Sequence, residues 1–432
     1  MASTDKKRSN AFYALLSLPS TAMGFALCIQ ISALSWILST KYQLAIHEVG
    51  YVWLAGPLAG LLAQPVVGLI SDSVWIWGGR RRPFIIVGGV LASLMLLALP
   101  FLGELSRLSG IGILWVAIAV ALLLDLAINV GFNPTRSIIA DLTEEGEERT
   151  KGFTWMQTIS GGFAVLAYVV GATLGNYALI FLGVGLVALF NVGATLLIEE
   201  PRDLRAAPAD HPEEPGGRPG RTRTGKLFHI YAAHGFTWLG VQTMFVFMFA
   251  FVKHAIKLPD LTDAKVGEII AVAFLVLNTV GFVLPVLVLQ PVAKRIGLVR
   301  THACCIAVMA CGYAAIFGAG HTPLALYGLM AVVGIGWAAT VSLPFAIMSD
   351  NVDQSRMGLF MGLFNLSVVI PQLVASAFFG KLIDAAPNKD RVFLIAAAAL
   401  AVSAVLWFFV EEDRAEFGTK RQSPAMPGTG HA

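Results

Sequence analysis

Residues 111–139 read IGILWVAIAVALLLDLAINVGFNPTRSII. Only two charges, Asp125 and Arg136, interrupt this run. A hydrocarbon layer roughly 30 Å thick is crossed by about 20 apolar residues rising ~1.5 Å each, so the stretch is long enough to span a bilayer as a helix. Eleven more segments of this kind flank it, at roughly 11–39, 46–71, 84–103, 153–175, 178–198, 227–252, 266–290, 301–319, 323–348, 357–383 and 392–410. A helix satisfies its own backbone hydrogen bonds, which lipid cannot do. The runs are too long, and too poor in period-two alternation, for barrel strands. The fold class expected is therefore an all-α membrane protein with twelve transmembrane helices.

Composition agrees. Of 432 residues, 56% are hydrophobic and only 13% charged, against about 25% charged in a soluble chain. Mean hydropathy is +0.74. The net charge of +3 is too mild to suggest nucleic acid. Cys28, Cys304, Cys305 and Cys311 all sit inside apolar runs without metal-ligand spacing, so they read as packing residues and not as disulfides. The opening MASTDKKRSN leads straight into apolar sequence without a small-residue cleavage site, and the first segment is expected to be retained as a helix. Placing both termini in the cytoplasm puts 21 of the 30 Lys and Arg inside and 8 outside, with Arg136 in a helix. That bias fixes the expected orientation in the cell membrane.

Between the sixth and seventh segments lies PRDLRAAPADHPEEPGGRPGRTRTGK, rich in Pro, Gly and charge and without periodicity. It reads as a cytoplasmic linker. The expected division is an N-terminal six-helix half (1–199), a linker (200–226), a C-terminal six-helix half (227–411) and a tail (412–432). A weak internal repeat supports it: Pro134 and Pro344 lie 210 residues apart, and Arg80–Arg82 displaced by the same interval fall next to Lys294–Arg295. Two parallel six-helix halves are the arrangement of a major facilitator, with the solute site near the midplane between them.

Asp125 is the most informative residue. A charge at mid-bilayer costs at least ~2.5–3.5 kcal/mol and usually marks a proton or substrate path. At 100° per residue Asp125, Asn129, Phe132 and Arg136 fall within about 60° of arc, so one face carries an acid, an amide, a ring and a cation. A carboxyl in a poorly polar cavity can exchange protons near neutral pH, and once ionised it accepts hydrogen bonds from a hydroxylated solute. The bland alternative is an acid that merely ties helices together. Arg136 lies ~16 Å further along the helix, where it serves either a gate or the membrane interface. Asp72, Arg80, Arg81 and Arg82, in SDSVWIWGGRRRP, suit an electrostatic latch on a neighbouring helix end or ordinary positive-inside anchoring. The embedded amides Gln30, Gln64, Gln157, Gln242, Asn278, Asn365 and Gln372 each need a partner. Singly they read as interhelical contacts, and together as a cavity able to hydrogen-bond a polyol. No phosphate loop, paired metal motif or nucleophile elbow appears, so neither an enzyme nor a cofactor is expected.

Four stretches carry a family likeness: GPLAGLLAQPVVGLISD with the following GGRRRPF (56–84), LDLAINVGFNPTRSIIADL (124–142), LPFAIMSD (343–350) and GLFMGLFNLSVVIPQLVASAFFG (358–380). In these the chain resembles proton-coupled sucrose carriers of plants and their animal and bacterial relatives, in the glycoside–pentoside–hexuronide group of major facilitators. The resemblance implies solute–proton symport, with Asp125 as the proton-linked residue and a contact for sugar hydroxyls; a monomer is the expected state. Asn129 supports it and Arg136 matches a functionally important family arginine. Gln30 and Ser32 resemble a Gln-x-Ser of the family's first helix, and Asn278 an Asn of its eighth. Two departures stand out. Leu27, Cys28 and Ile29 occupy the place of a family Trp, and FMFAFVKHAIK lacks the acidic pattern that plant and animal members carry after helix seven. The implied substrate is thus a glycoside, such as sucrose or maltose, bound by Asp125, Asn129, Gln30, Gln64, Asn278, Asn365 and Gln372. Competing readings are an exporter or carrier of another small solute, or a non-transporting sensor or assembly protein with the same fold.

Overall fold

The computed structural model describes residues 8–61, 67, 70, 74–143, 147–200, 224–349, 351 and 357–411. Among them, eleven helices are long and apolar enough to cross a membrane. In chain order these are α1 Asn10–Thr40, α3 Arg82–Ser109, α4 Ile113–Leu142, α5 Lys151–Leu174, α6 Asn176–Leu196, α7 Thr224–Ala255, α8 Asp263–Leu284, α9 Leu298–Ala319, α10 Pro323–Ser342, α11 Leu363–Asp384 and α12 Arg391–Phe408. The remaining expected span, α2, is described as Ile46–Trp53 and 55–61. Gln64 and Asp72, which follow in that span, lie outside the described residues.

The end of the bundle holding Asn10, Glu200 and Thr224 is the proximal end, and the opposite end is distal. In the N-terminal half α1 packs on α4, α5 and α6, and α3 packs on α4 and α6. In the C-terminal half α12 packs on α7 and α9, while α10 packs on α8 and α9. The halves meet where α5 lies along α8 and where the start of α2 crosses the end of α11. Large apolar side chains face outward, among them Trp115, Leu324 and Phe378, each at least 66% exposed. Apolar side chains exposed in this number on spans of this length suit a surface that meets lipid.

Among the described residues, α3 contains a 3-10 turn at Leu99–Phe101, and four spans depart from the α-helix in another way. Each passes through a π-helical turn: Gln30–Leu34 in α1, Leu189–Gly193 in α6, Pro285–Leu289 after α8, and Ala375–Phe379 in α11. A π turn inserts an extra residue, which re-aims the side chains around it and often marks a functional position. The turns in α1 and α11 begin beside the residues that carry the site.

Glu200 closes the proximal end of the N-terminal half, although sequence places it in the linker. Its carboxylate accepts the backbone N–H groups of Arg80 (2.9 Å), Arg81 (3.1 and 3.2 Å) and Arg82 (2.8 Å). A helix start leaves several amides without partners and carries a partial positive charge, so one borrowed carboxylate caps α3. Pro83, next in line, has no N–H to satisfy. Gly79 makes room for the arrangement: a Cβ there would stand 2.3 Å from Glu200 Oε1.

Candidate functional site

Asp125 is buried, only 5% exposed, and turns inward. Gln30 Nε2, at the first position of the α1 π turn, donates to its Oδ2 at 2.9 Å. Gly56 of α2 closes the other side: a Cβ there would sit 3.3 Å from both carboxylate oxygens. Among the described residues no ion pair includes Asp125, so its carboxyl rests against a neutral amide instead of a fixed cation. One turn on, Asn129 Nδ2 donates to the Asp125 carbonyl at 2.8 Å, and its side chain faces Gly60. Phe132 follows, with the Arg136 guanidinium 4.2 Å from its ring centre. This distance is that of a cation–π contact. The face expected from helical periodicity is therefore real, and α1 and α2 cover its upper part.

The C-terminal half has a second polar cluster. Gln242 of α7 donates through Nε2 to Ser376 Oγ at 3.4 Å, and Gln372 Nε2 donates to Gln242 Oε1 at 3.2 Å. Ser376 belongs to the α11 π turn. Aromatic rings flank this part of α7: Trp238 and Phe245 stand edge-on to Trp337 at 6.2 and 5.4 Å. His234, one turn from Trp238, accepts its indole N–H through Nε2 at 3.0 Å and stacks on Phe364 at 4.6 Å. The accepting nitrogen carries no proton, so this imidazole is neutral.

The expected binding residues fall into separate groups. Asp125, Gln30 and Asn129 come together, whereas Gln372 joins Gln242. Asn278 donates to the Phe274 carbonyl at 2.9 Å, a bond within α8. Asn365 is half-buried on α11. The arginine cluster finds its partner on α4. Arg80 meets both oxygens of Asp141, at 3.2 and 2.7 Å, and Arg81 Nε meets Oδ2 at 3.0 Å. Arg82 instead donates to the Leu196 carbonyl at 3.1 Å. Sequence reasoning passed over Asp141 and Glu200 as partners. The available signal was that GGRRRP opens a helix without a capping side chain of its own, so the cap had to come from elsewhere.

An inward-facing acid midway along one span of a bundle with eleven membrane-crossing helices among the described residues defines a multi-pass membrane protein built as a secondary carrier. The sequence pattern of the Major Facilitator Superfamily matches residues 16–376 and 270–427, and the chain belongs to that superfamily. It is similar to the sucrose transport protein SUT2 of Oryza sativa subsp. indica, 27% identical over 84% of this chain and 85% of that protein. It is also similar to the sucrose transport protein SUC4 of Arabidopsis thaliana, 24% identical over 85% and 83%. The general alpha-glucoside permease of Schizosaccharomyces pombe is 27% identical over 36% of this chain and 31% of its own length. Among solved structures, the xylose transporter XylE from E. coli superposes with a TM-score of 0.70 at 13% identity, covering 94% of this chain and 97% of its own. The nucleoside transporter NupG gives a TM-score of 0.70 at 12% identity over 93% and 98%. At such identities these two show the shared fold alone. Superfamily and named relatives are transporters, and the chain is a carrier rather than an enzyme.

Proposed function

We propose that this chain is a proton-coupled glycoside symporter that works by alternating access in the cytoplasmic membrane, as a monomer with both termini in the cytoplasm. The observation that carries the reading is Asp125: a buried carboxyl, turned away from lipid and held by the neutral amide of Gln30. A carboxyl paired with a permanent cation would have no reason to change protonation during a cycle. One paired with an amide can take a proton and give it up, and each state bonds differently to a bound hydroxyl. Coupling then requires only that proton and sugar each favour one conformation and strengthen one another's binding.

In this scheme the neutral amides of the C-terminal cluster, Gln242 and Gln372, meet sugar hydroxyls from the side opposite Asp125 and Asn129, and Trp238 or Trp337 offers a ring face. The Arg80–Arg81–Asp141–Glu200 network and Arg136 act at the cytoplasmic mouth as gating elements. The full-length similarity to plant sucrose transport proteins and the partial similarity to an alpha-glucoside permease support a glycoside as the solute.

The test is a proteoliposome assay with an internal pH dye, screened across mono- and disaccharides. A glycoside gradient should drive proton entry with wild-type protein and none with Asp125→Asn. Sugar flux without proton movement in the wild type, or undiminished proton movement in the variant, would overturn the reading.

A further inference from the structure

The distal seam between the halves is tight and mostly neutral. Trp36 Nε1 donates to the Asp263 carbonyl at 2.7 Å. Trp53 Nε1 donates to Ser35 Oγ at 2.8 Å, which passes its own proton to the Val246 carbonyl at 3.0 Å. Where α2 crosses α11 the backbones nearly touch: a Cβ on Gly380 would lie 2.8 Å from the His47 Cα, and one on Gly50 would lie 2.5 Å from the Ser376 carbonyl oxygen. At the rim of this crossing stands one ionisable pair that joins the two halves. His47 Nδ1 and Asp384 Oδ2 are 2.6 Å apart, with side chains 35% and 34% exposed.

We propose that His47 and Asp384 form a protonatable latch on the distal mouth, a proton-binding site separate from Asp125 that biases the carrier toward its distally closed state. The inference rests on the alternating-access reading above. With a neutral imidazole the pair is one hydrogen bond. With an imidazolium it becomes a charge-assisted ion pair, which is stronger. Opening the mouth must separate α2 from α11 and therefore break the pair, so a proton on His47 favours closure. Imidazole is the side chain whose charge ordinarily changes between about pH 5 and 8, and the rim position gives it access to the distal solution.

The surrounding charges leave this pairing in place. Glu48, next on α2, is occupied by the Ala45 backbone N–H at 2.8 Å. Tyr51 sets its ring edge-on to His47 at 5.8 Å, and Lys381 of α11 approaches that ring at 5.9 Å. Lys389, in the turn before α12, donates to the carbonyls of Ile383, Asp384 and Ala386 and so braces the end of α11 without taking the Asp384 carboxylate. From α7, His254 lies within electrostatic range of Lys389, Lys253 and Asp384. Lys389 and His254 thus stand near Asp384 on its own half, and His47 reaches its carboxylate from the opposite half.

The test uses the full chain in proteoliposomes, with Cys28, Cys304, Cys305 and Cys311 replaced by serine. Ser35→Cys reports the distal seam and Ser109→Cys, at the exposed distal end of α3, corrects for the pH dependence of the reagent itself. An impermeant maleimide is added from the distal side. The ratio of the two labelling rates should rise about five-fold between pH 5.5 and 8 in the otherwise unaltered protein. His47→Asn and Asp384→Asn should each make that ratio independent of pH. A ratio flat with pH in the unaltered protein, or one that still climbs in His47→Asn, would refute the latch. Labelling of Phe132→Cys from the proximal side should move opposite to Ser35→Cys. If both sites speed up together, alternating access falls and the latch falls with it. If they move oppositely but ignore His47, the latch alone falls.

Discussion

The two halves bury different chemistry. In the N-terminal half the polar centre is an acid and an amide, Asp125 and Gln30, with Asn129 a turn away. In the C-terminal half it is two amides and a hydroxyl, Gln242, Gln372 and Ser376, and the nearby His234 is held neutral by the Trp238 indole. An acid in the membrane is costly to keep, and neutral amides that find partners are much less so. A carrier that couples one solute to protons needs an ionisable group on only one side of its cavity. The other side needs only donors and acceptors. The asymmetry fits a division of labour in which one half senses the proton and the other selects hydroxyl geometry.

The largest effect should come from removing the charge. Asp125→Asn keeps the volume and can still bond Gln30, yet it cannot change protonation. Uphill accumulation should vanish, internal sugar settling at the external concentration, while exchange of sugar across the membrane continues. The dependence of the half-saturation constant on pH should shrink to the part set by the His47–Asp384 latch. Accumulation and counterflow measured on the same vesicles check both. Persistent uphill uptake would erase the functional difference between the halves.

Next in size is a wedge between the halves. Gly50→Ala puts a methyl group 2.5 Å from the Ser376 carbonyl, a contact that backbone must yield to relieve. Overpacking of this kind costs about 1–3 kcal/mol, roughly 5- to 150-fold on the equilibrium for distal closure. Net transport should fall by at least about five-fold, with sugar binding retained in a direct binding assay. Lost binding together with lost transport would mean that the glycine serves the Gln242–Ser376 cluster and not the seam.

Gln242→Ala tests the neutral side alone. It removes the amide proposed to meet a sugar hydroxyl, a bond worth about 1–1.4 kcal/mol net, and the expected result is a rise of about five- to ten-fold in the half-saturation constant with the accumulation ratio unchanged. A collapse of coupling would show that the C-terminal cluster carries protons too.

How far the sequence reaches differs between these regions. The spans and the inward face of α4 follow from length and period, because lipid permits few alternatives to a continuous helix and a helix fixes which residues share a side; the expected linker lies for the most part outside the described residues. The Gln30–Asp125 bond was within reach only as two polar residues in different spans. Nothing local announces that a π turn at Gln30–Leu34 re-aims α1 toward α4. Glu200 was hidden for a related reason. It stands at the head of a charge-rich linker, and its role depends on the start of α3, 118 residues away from it at Arg82. The amides Gln372 and Asn278 were visible as embedded polar groups, but which of them share a cluster is a matter of helix packing.

The smallest expected effect is the sharpest probe of the acid's surroundings. Gly56 and Gly60 are one turn apart on α2 and face consecutive members of the α4 stripe. A methyl group on Gly56 would stand 3.3 Å from both oxygens of Asp125, and one on Gly60 would stand 3.7 Å from Asn129 Oδ1. The first is closer than carbon and oxygen usually approach and the second is an ordinary contact. Gly56→Ala should therefore displace the carboxyl by a few tenths of an ångström and slow proton-coupled uptake by about three- to ten-fold, a cost on the order of 1 kcal/mol. Gly60→Ala should leave uptake within about two-fold, since this buried position has room for a methyl group at ordinary contact distance. Sugar exchange at equilibrium, which needs no proton turnover, should change less than coupled uptake in Gly56→Ala. If exchange and coupled uptake fall equally, the methyl group is blocking the sugar rather than crowding the acid, and the Asp125 side of the cavity would then belong to solute recognition as much as the amide side does.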